Sequence, residues 1–107
     1  SFRPDARELD DDAILRSKVV VDSREATLAE AGDIIIPLKT NVISETHIYA
    51  EIGEIITGKK RGRISDDEIT LFKSVGLGVQ DAAAAYLAYK KASEAGVGFE
   101  VELFRKA

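Results

Sequence analysis

The chain has 107 residues, of which 45% are hydrophobic, enough for one domain around one buried core. Lys and Arg (15) nearly balance Asp and Glu (19), leaving a net charge of -4, so no long-range field draws in nucleic acid or an anionic membrane. With no cysteine and one histidine there is no disulfide, thiolate nucleophile, zinc ribbon or His-rich metal site, and no apolar run approaches the roughly 18 residues of a membrane span.

Residues 1–9 hold Pro4 among alternating charges and read as an ordered loop. Asp10 to Asp12 then offer an N-cap and an acidic first turn for a short helix with Ala13, Ile14 and Leu15 on its apolar face, ending near Ser17. Three valines bounded by Lys18 and Asp22 have the pattern of a strand buried on both faces of a parallel sheet. Ser23 sits where an N-cap belongs, and Ala26, Leu28 and Ala31 form the stripe of a helix stopped by Gly32. Ile34 to Leu38 is a further apolar run that continues a βαβ-like alternation, although Pro37 confines it to an edge or removes it from the sheet.

Ser44 to Thr57 has the clearest helical spacing, with Ile48, Ile52, Ile55 and Ile56 on one face, His47, Glu51 and Glu54 opposite, and Gly58 as the stop. A basic loop, Lys59 to Arg63, leads through Asp66, Asp67 and Glu68 into an alternating strand over 69–73. The alanine-rich stretch 77–95 is a strong helix former ended by Gly96. Residues 97–104 alternate with period two, placing Val97, Phe99, Val101 and Leu103 on one face, and are expected to form a strand.

Ser74-Val-Gly76-Leu-Gly78-Val-Gln-Asp81 follows a strand and opens a helix, the setting of a dinucleotide fingerprint, and Glu100 falls about 20 residues on, where a ribose-binding acid belongs. Asp81 occupies the third glycine position, and its charge in the first helical turn would repel a pyrophosphate. The stretch therefore reads as a tight turn with exposed backbone N–H groups beside the Ser74 hydroxyl. The basic loop is accounted for by the preceding helix C-terminus, His47 as a solvated or capping residue, and the acidic triplets as lead-ins to the elements that follow. Arg3 and Arg7 flank Pro4-Asp5, where an Arg–Asp pair competes with ligand binding. The absence of cysteine fits a cytoplasmic setting, and a chain that opens on Ser and contains no Met reads as a segment of a longer product.

Five runs carry a resemblance. Ser1-Phe-Arg-Pro-Asp-Ala-Arg-Glu-Leu-Asp-Asp11, Val21-Asp-Ser-Arg-Glu25, Glu30-Ala-Gly-Asp33, Ala50-Glu-Ile-Gly-Glu54 with Gly58, and Phe72-Lys-Ser-Val-Gly76 with Gln80-Asp81 resemble, in order and spacing, the C-terminal third of the ornithine cyclodeaminase/mu-crystallin family. The resemblance implies an α/β segment. Residues 1–76 would form the second half of a doubly wound, Rossmann-type nucleotide-binding domain, and 77–107 a helix and strand packing back onto an N-terminal substrate and dimerisation domain. It further implies a homodimer that uses NAD or NADP on a small imino acid, oxo acid or amino acid. Phe2, Arg3 and Ser74 would contact the cofactor and Val75 the substrate, while the catalytic Arg and Lys lie upstream, so no catalytic residue is assigned to this segment. Cyclodeaminases carry a catalytic aspartate at the position of Phe2 and a cofactor-contacting lysine at that of Ala6; this chain has neither. The run Arg3-Pro-Asp-Ala-Arg-Glu-Leu-Asp-Asp11 resembles instead the mu-crystallin and ketimine-reductase branch, which reduces imines with NAD(P)H. The other activities implied are alanine dehydrogenase, ornithine cyclodeaminase and non-catalytic, NADPH-dependent binding of a small ligand.

Overall fold

A computed structural model describes residues 1–104 and divides the chain into two compact units, Ser1–Gly76 and a second that starts at Leu77. The first is built on a three-stranded, fully parallel sheet. Its centre is β1 (Lys18–Val21), flanked by β2 (Ile48–Glu51) and β3 (Thr70–Lys73). Val19 and Val21 are fully buried, and Val20, pointing to the other face, is 7% exposed. A strand with neighbours on both sides and apolar cover on both faces needs an uninterrupted valine run, and this one has it.

The helices follow from their caps. The Asp10 carboxylate accepts the Ala13 N–H (2.8 Å) at the start of α1 (Asp11–Leu15), and the Ser23 hydroxyl accepts the Ala26 N–H (3.2 Å) at the start of α2 (Arg24–Glu30). Beyond a single intervening residue the chain is helical again, as α3 (Gly32–Lys39). Ile14 from α1, Ala31 and Ile34 from the α2–α3 region, and Ile48 from β2 close over Val19 and Val21 as one buried cluster.

Two stretches are decided here by the fold: Pro37 does take its run out of the sheet, while the single helix expected over 44–57 does not form. Ile34 to Leu38 is helical, with Pro37 inside the helix. A short apolar run does not distinguish a buried strand from a buried helix, and burial of Ile34, Ile35 and Pro37 outweighs the backbone hydrogen bond that the proline cannot make. The stretch 44–57 is not one helix: a 3-10 turn (Glu45–His47) is followed by β2 and only then by α4 (Ile52–Ile56). Ile48 fits a period of two with Ala50 as well as a period near four with Ile52, and pairing of β2 with the open edge of β1, Val19 to Ile48, selects the strand. Ile48 is therefore buried, Ile52 and Ile55 are half-buried, and Ile56 is 78% exposed instead of belonging to one packed face. Gly58 does end α4, at a φ of 75°.

The second unit contains α5 (Gly78–Ala95), ended by Gly96 in the left-handed conformation (φ 64°). The strand expected over 97–104 does not form. Gly98 has a φ of 90°, which departs from extended backbone, and the segment has no neighbouring strand among the described residues; Phe99 is 94% exposed.

The packing predicts a contrast. Ile34→Ala, at a fully buried position, should cost about 2–5 kcal/mol of unfolding free energy in urea titrations, whereas Ile56→Ala should change it by less than about 0.5 kcal/mol.

Candidate functional site

Because the three strands are parallel, their carboxyl ends lie on one edge, at Asp22, Glu51 and Ser74. In open α/β sheets this edge is where ligands bind. Each strand end is tied down by a carboxylate.

Asp22, 8% exposed, ends β1. Its Oδ2 accepts the Ser74 hydroxyl (2.6 Å) and the backbone N–H groups of Val75 (3.1 Å) and Gly76 (3.0 Å), and its Oδ1 accepts the Ser23 N–H (2.9 Å). Burial pushes its carboxyl up, but the bonds from Ser74, Gly76, Ser23 and Val75 outweigh burial and hold it below the usual aspartate range. At the end of β2, Glu51 Oε1 accepts the Arg24 N–H (2.7 Å) and the Glu51 N–H donates to the Glu54 carboxylate (2.9 Å), while the Arg24 guanidinium donates to the Ile48 carbonyl (2.8 Å). These contacts fasten the start of α2 to β2.

The third carboxylate, Asp33, holds the loop 1–9. Gly32, before it, donates its N–H to the Arg3 carbonyl (3.1 Å), and a Cβ at this glycine would lie 1.9 Å from the Ala6 carbonyl oxygen. Only glycine allows the loop so close. Asp33, 1% exposed, accepts the N–H groups of Glu8 (2.6 Å) and Leu9 (3.0 Å), the Lys73 ammonium (3.0 Å) and the Ser1 nitrogen (2.8 Å). Here too burial pushes the carboxyl up, and the Glu8 and Leu9 N–H groups and the Lys73 ammonium oppose it, holding it below the usual range. Lys73 reaches Asp33 while Ser74 reaches Asp22, so the two anchorages meet at consecutive residues at the end of β3.

Ser74 is exposed and Val75 half-buried, its side chain packing against the core cluster. Phe2 is 72% exposed in the anchored loop, and Arg3 in that loop is forked onto Asp5 through Nε (3.1 Å) and Nη2 (2.8 Å), so the Arg–Asp pair forms. The turn after β3 departs from expectation: its N–H groups at Val75 and Gly76 are not exposed donors but are spent on Asp22. The Ser74 hydroxyl gives its proton to Asp22 and accepts the Gly76 N–H (3.2 Å), which leaves one lone pair for any ligand. Gly76, at a φ of 90°, supplies the bend, and the anion in this concavity is the protein's own side chain.

Several of the remaining sequence candidates have structural partners. His47 Nε2 lies 2.8 Å from the Ile14 carbonyl. In the basic loop, Lys60 donates to the Tyr49 carbonyl (2.7 Å) and Arg63 to the Thr70 hydroxyl (2.7 Å), while Lys18 pairs with Glu68. Among the described residues no group of three or more His, Cys, Asp or Glu could hold a metal ion, and no helix is long and apolar enough to cross a membrane. Asp22, Asp33, Gly32 and Lys73 were not among the candidate site residues read from the sequence. Their signals were an acid directly after a valine strand and a Gly-Asp pair opening a helix, both legible only as possible caps or turns until their distant partners are known.

Residues 1–96 match the model of the ornithine cyclodeaminase/mu-crystallin family. The chain belongs to that family. It is 50% identical, over 95% of its length, to a Δ1-pyrroline-2-carboxylate reductase of Bacillus cereus, of which it spans 32%. A solved structure of Δ1-pyrroline-2-carboxylate reductase from Thermococcus litoralis, in complex with NADH and L-proline, superposes with a TM-score of 0.81 at 59% identity, covering 92% of this chain and 30% of that one. An archaeal alanine dehydrogenase dimer with bound NAD gives 0.76 at 39% identity, covering 96% and 32%. This member thus spans about a third of the length of the relatives it matches, and its parallel α/β segment corresponds to part of NAD-binding dehydrogenases.

Two outcomes follow from the anchorages. Gly32→Ala should loosen the loop 1–9 and accelerate its cleavage in limited proteolysis, whereas Gly53→Ala, with open space around its Cβ, should leave cleavage unchanged. Asp33, with a lowered carboxyl pKa, contributes stability in full above the unfolded aspartate value of about 4 and loses that contribution as pH falls toward its folded value. Denaturant midpoints should therefore fall below about pH 4, and Asp33→Ala, which strands the Lys73 ammonium, should cost about 3–5 kcal/mol at neutral pH and flatten that dependence.

Proposed function

We propose that the protein carrying this segment is an NAD(P)H-dependent reductase of a small cyclic ketimine or imino acid, and that the segment forms one wall of its nicotinamide pocket. The observation that carries the reading is the likeness to a reductase in complex with NADH and L-proline, together with a sheet edge whose connecting loops are all fastened in place. In this reading Phe2, Arg3 and Ser74 contact the cofactor, Val75 contacts the substrate, 77–107 pack onto the remainder of the protein, and the assembly is a cytoplasmic homodimer.

The residues present fit the nicotinamide end of such a cofactor. The free lone pair of Ser74 can accept an N–H of a carboxamide, and Phe2 and Val75 offer apolar surface to a ring. They do not fit its pyrophosphate. Asp81 stands in the first turn of α5, and the Val75 and Gly76 N–H groups are already spent, so the phosphates belong to another part of the protein. NAD(P)H, when bound, supplies a hydride to the imine carbon; the nitrogen takes a proton and the imine becomes an amine. Asp22 and Asp33 are saturated by N–H and O–H donors and kept ionised, so neither is suited to give that proton. The segment's share is orientation of ring against substrate and exclusion of water.

The test uses the whole protein with NADH or NADPH and Δ1-pyrroline-2-carboxylate, following oxidation of the reduced cofactor by its absorbance. Oxidation that depends on the imine supports the reading. Turnover only with pyruvate and ammonia, or in reverse with L-alanine, would instead make it an amino-acid dehydrogenase. Cofactor binding with no turnover of any of these substrates would make it a ligand-binding member of the family.

A further inference from the structure

We infer that Asp22 is a positioning residue for this pocket: through its carboxylate it holds the turn Ser74–Gly76 in one conformation and thereby sets the wall that Ser74 and Val75 provide. The inference rests on the function proposed above and concerns a residue that touches neither cofactor nor substrate in that reading.

Three of the four donors to Asp22 come from consecutive residues of one turn, 52 to 54 positions away in sequence, and converge on a single oxygen, Oδ2. The fourth, Ser23, fixes the other oxygen, so the carboxylate plane cannot rotate to follow the turn. With Gly76 at a φ of 90° the backbone of this turn has few steric limits of its own, and any pair of angles open to glycine would be available without the carboxylate. Asp22 supplies the missing constraint by bonding the hydroxyl on one side of the bend and two successive N–H groups within it. The same bond dictates the polarity of Ser74: its proton is committed to Asp22, so toward a ligand the hydroxyl acts as an acceptor. An asparagine at position 22 cannot reproduce the set. If its oxygen meets Ser74, Val75 and Gly76, its amide N–H faces the Ser23 N–H, and if it is reversed the three turn donors face a donor.

The experiment compares the whole protein with its Asp22→Asn variant, at a temperature well below both melting midpoints. Dissociation constants for NADH and NADPH are read from cofactor fluorescence, and kcat and KM are measured with Δ1-pyrroline-2-carboxylate. Asp22→Asn should weaken binding of the preferred cofactor and raise the imine KM, each about tenfold, with a smaller change in kcat. A folded variant with a lower midpoint but a dissociation constant and KM within twofold of the parent would show a merely structural role and overturn the inference. Should Asp22→Asn fail to fold, hydrogen exchange in the cofactor-free parent decides: slow exchange at Val75 and Gly76 upholds the preformed turn, and exchange at the rate of an unstructured peptide overturns it. A parent that binds neither cofactor removes the proposed function, and this inference with it, whereas a parent that binds and a variant that binds equally well removes the inference alone.

Discussion

A run of three valines with no polar face has to be covered on both sides and paired along both edges, and the rest of the first unit is arranged to meet that demand on β1. Parallel neighbours at both edges require crossovers; the one from β1 to β2 brings α3 over Val19 and Val21, and α1, which precedes β1, joins it there. Parallel strands end on one side. At that side the backbone leaves the ladder three times within a small space, and each departure strands N–H groups that need acceptors.

The protein meets that need with carboxylates placed immediately beyond or beside the strand ends. Asp22 collects the donors of the turn after β3, Glu51 those of the start of α2, and Asp33 those of the loop 1–9. A carboxylate suits this task because it only accepts and can take several bonds at once. Its desolvation is the opposing term, and at both Asp22 and Asp33 the direction of the pKa shift shows that the donors prevail. The chemical consequence is that these acids, which by position would be natural candidates for proton transfer, are committed to structure. What remains available in the turn after β3 is small and directional: one lone pair on the Ser74 hydroxyl and the half-buried side chain of Val75.

That division explains how a family with several chemistries can share this segment. Membership is shown by the match across residues 1–96, and the segment spans about a third of the length of the relatives it matches. In the function proposed above, the segment's share is a turn and a loop held in place by buried carboxylates, and alignment of donor and acceptor carbons is what such placement would serve.

The central strand, both capped helices α1 and α2, the stop at Gly58 and the long helix before Gly96 were legible in the sequence, because each is decided by contacts within a few residues: a valine run, an acid or serine at a cap, a glycine free to adopt positive φ. The run of resembling segments also carried the family. Three stretches were decided elsewhere. Ile48 to Glu51 is a strand because β1 offers an open edge, Ile34 to Leu38 is a helix because the core needs its isoleucines in that place, and 97–104 finds no partner strand for its alternation among the described residues. The roles of Asp22 and Asp33 belong to the same class. Nothing near either residue in sequence reveals that most of the donors it serves lie 24 to 54 positions away, and only the approach of those segments through the fold turns two ordinary acids into the fastenings of the site.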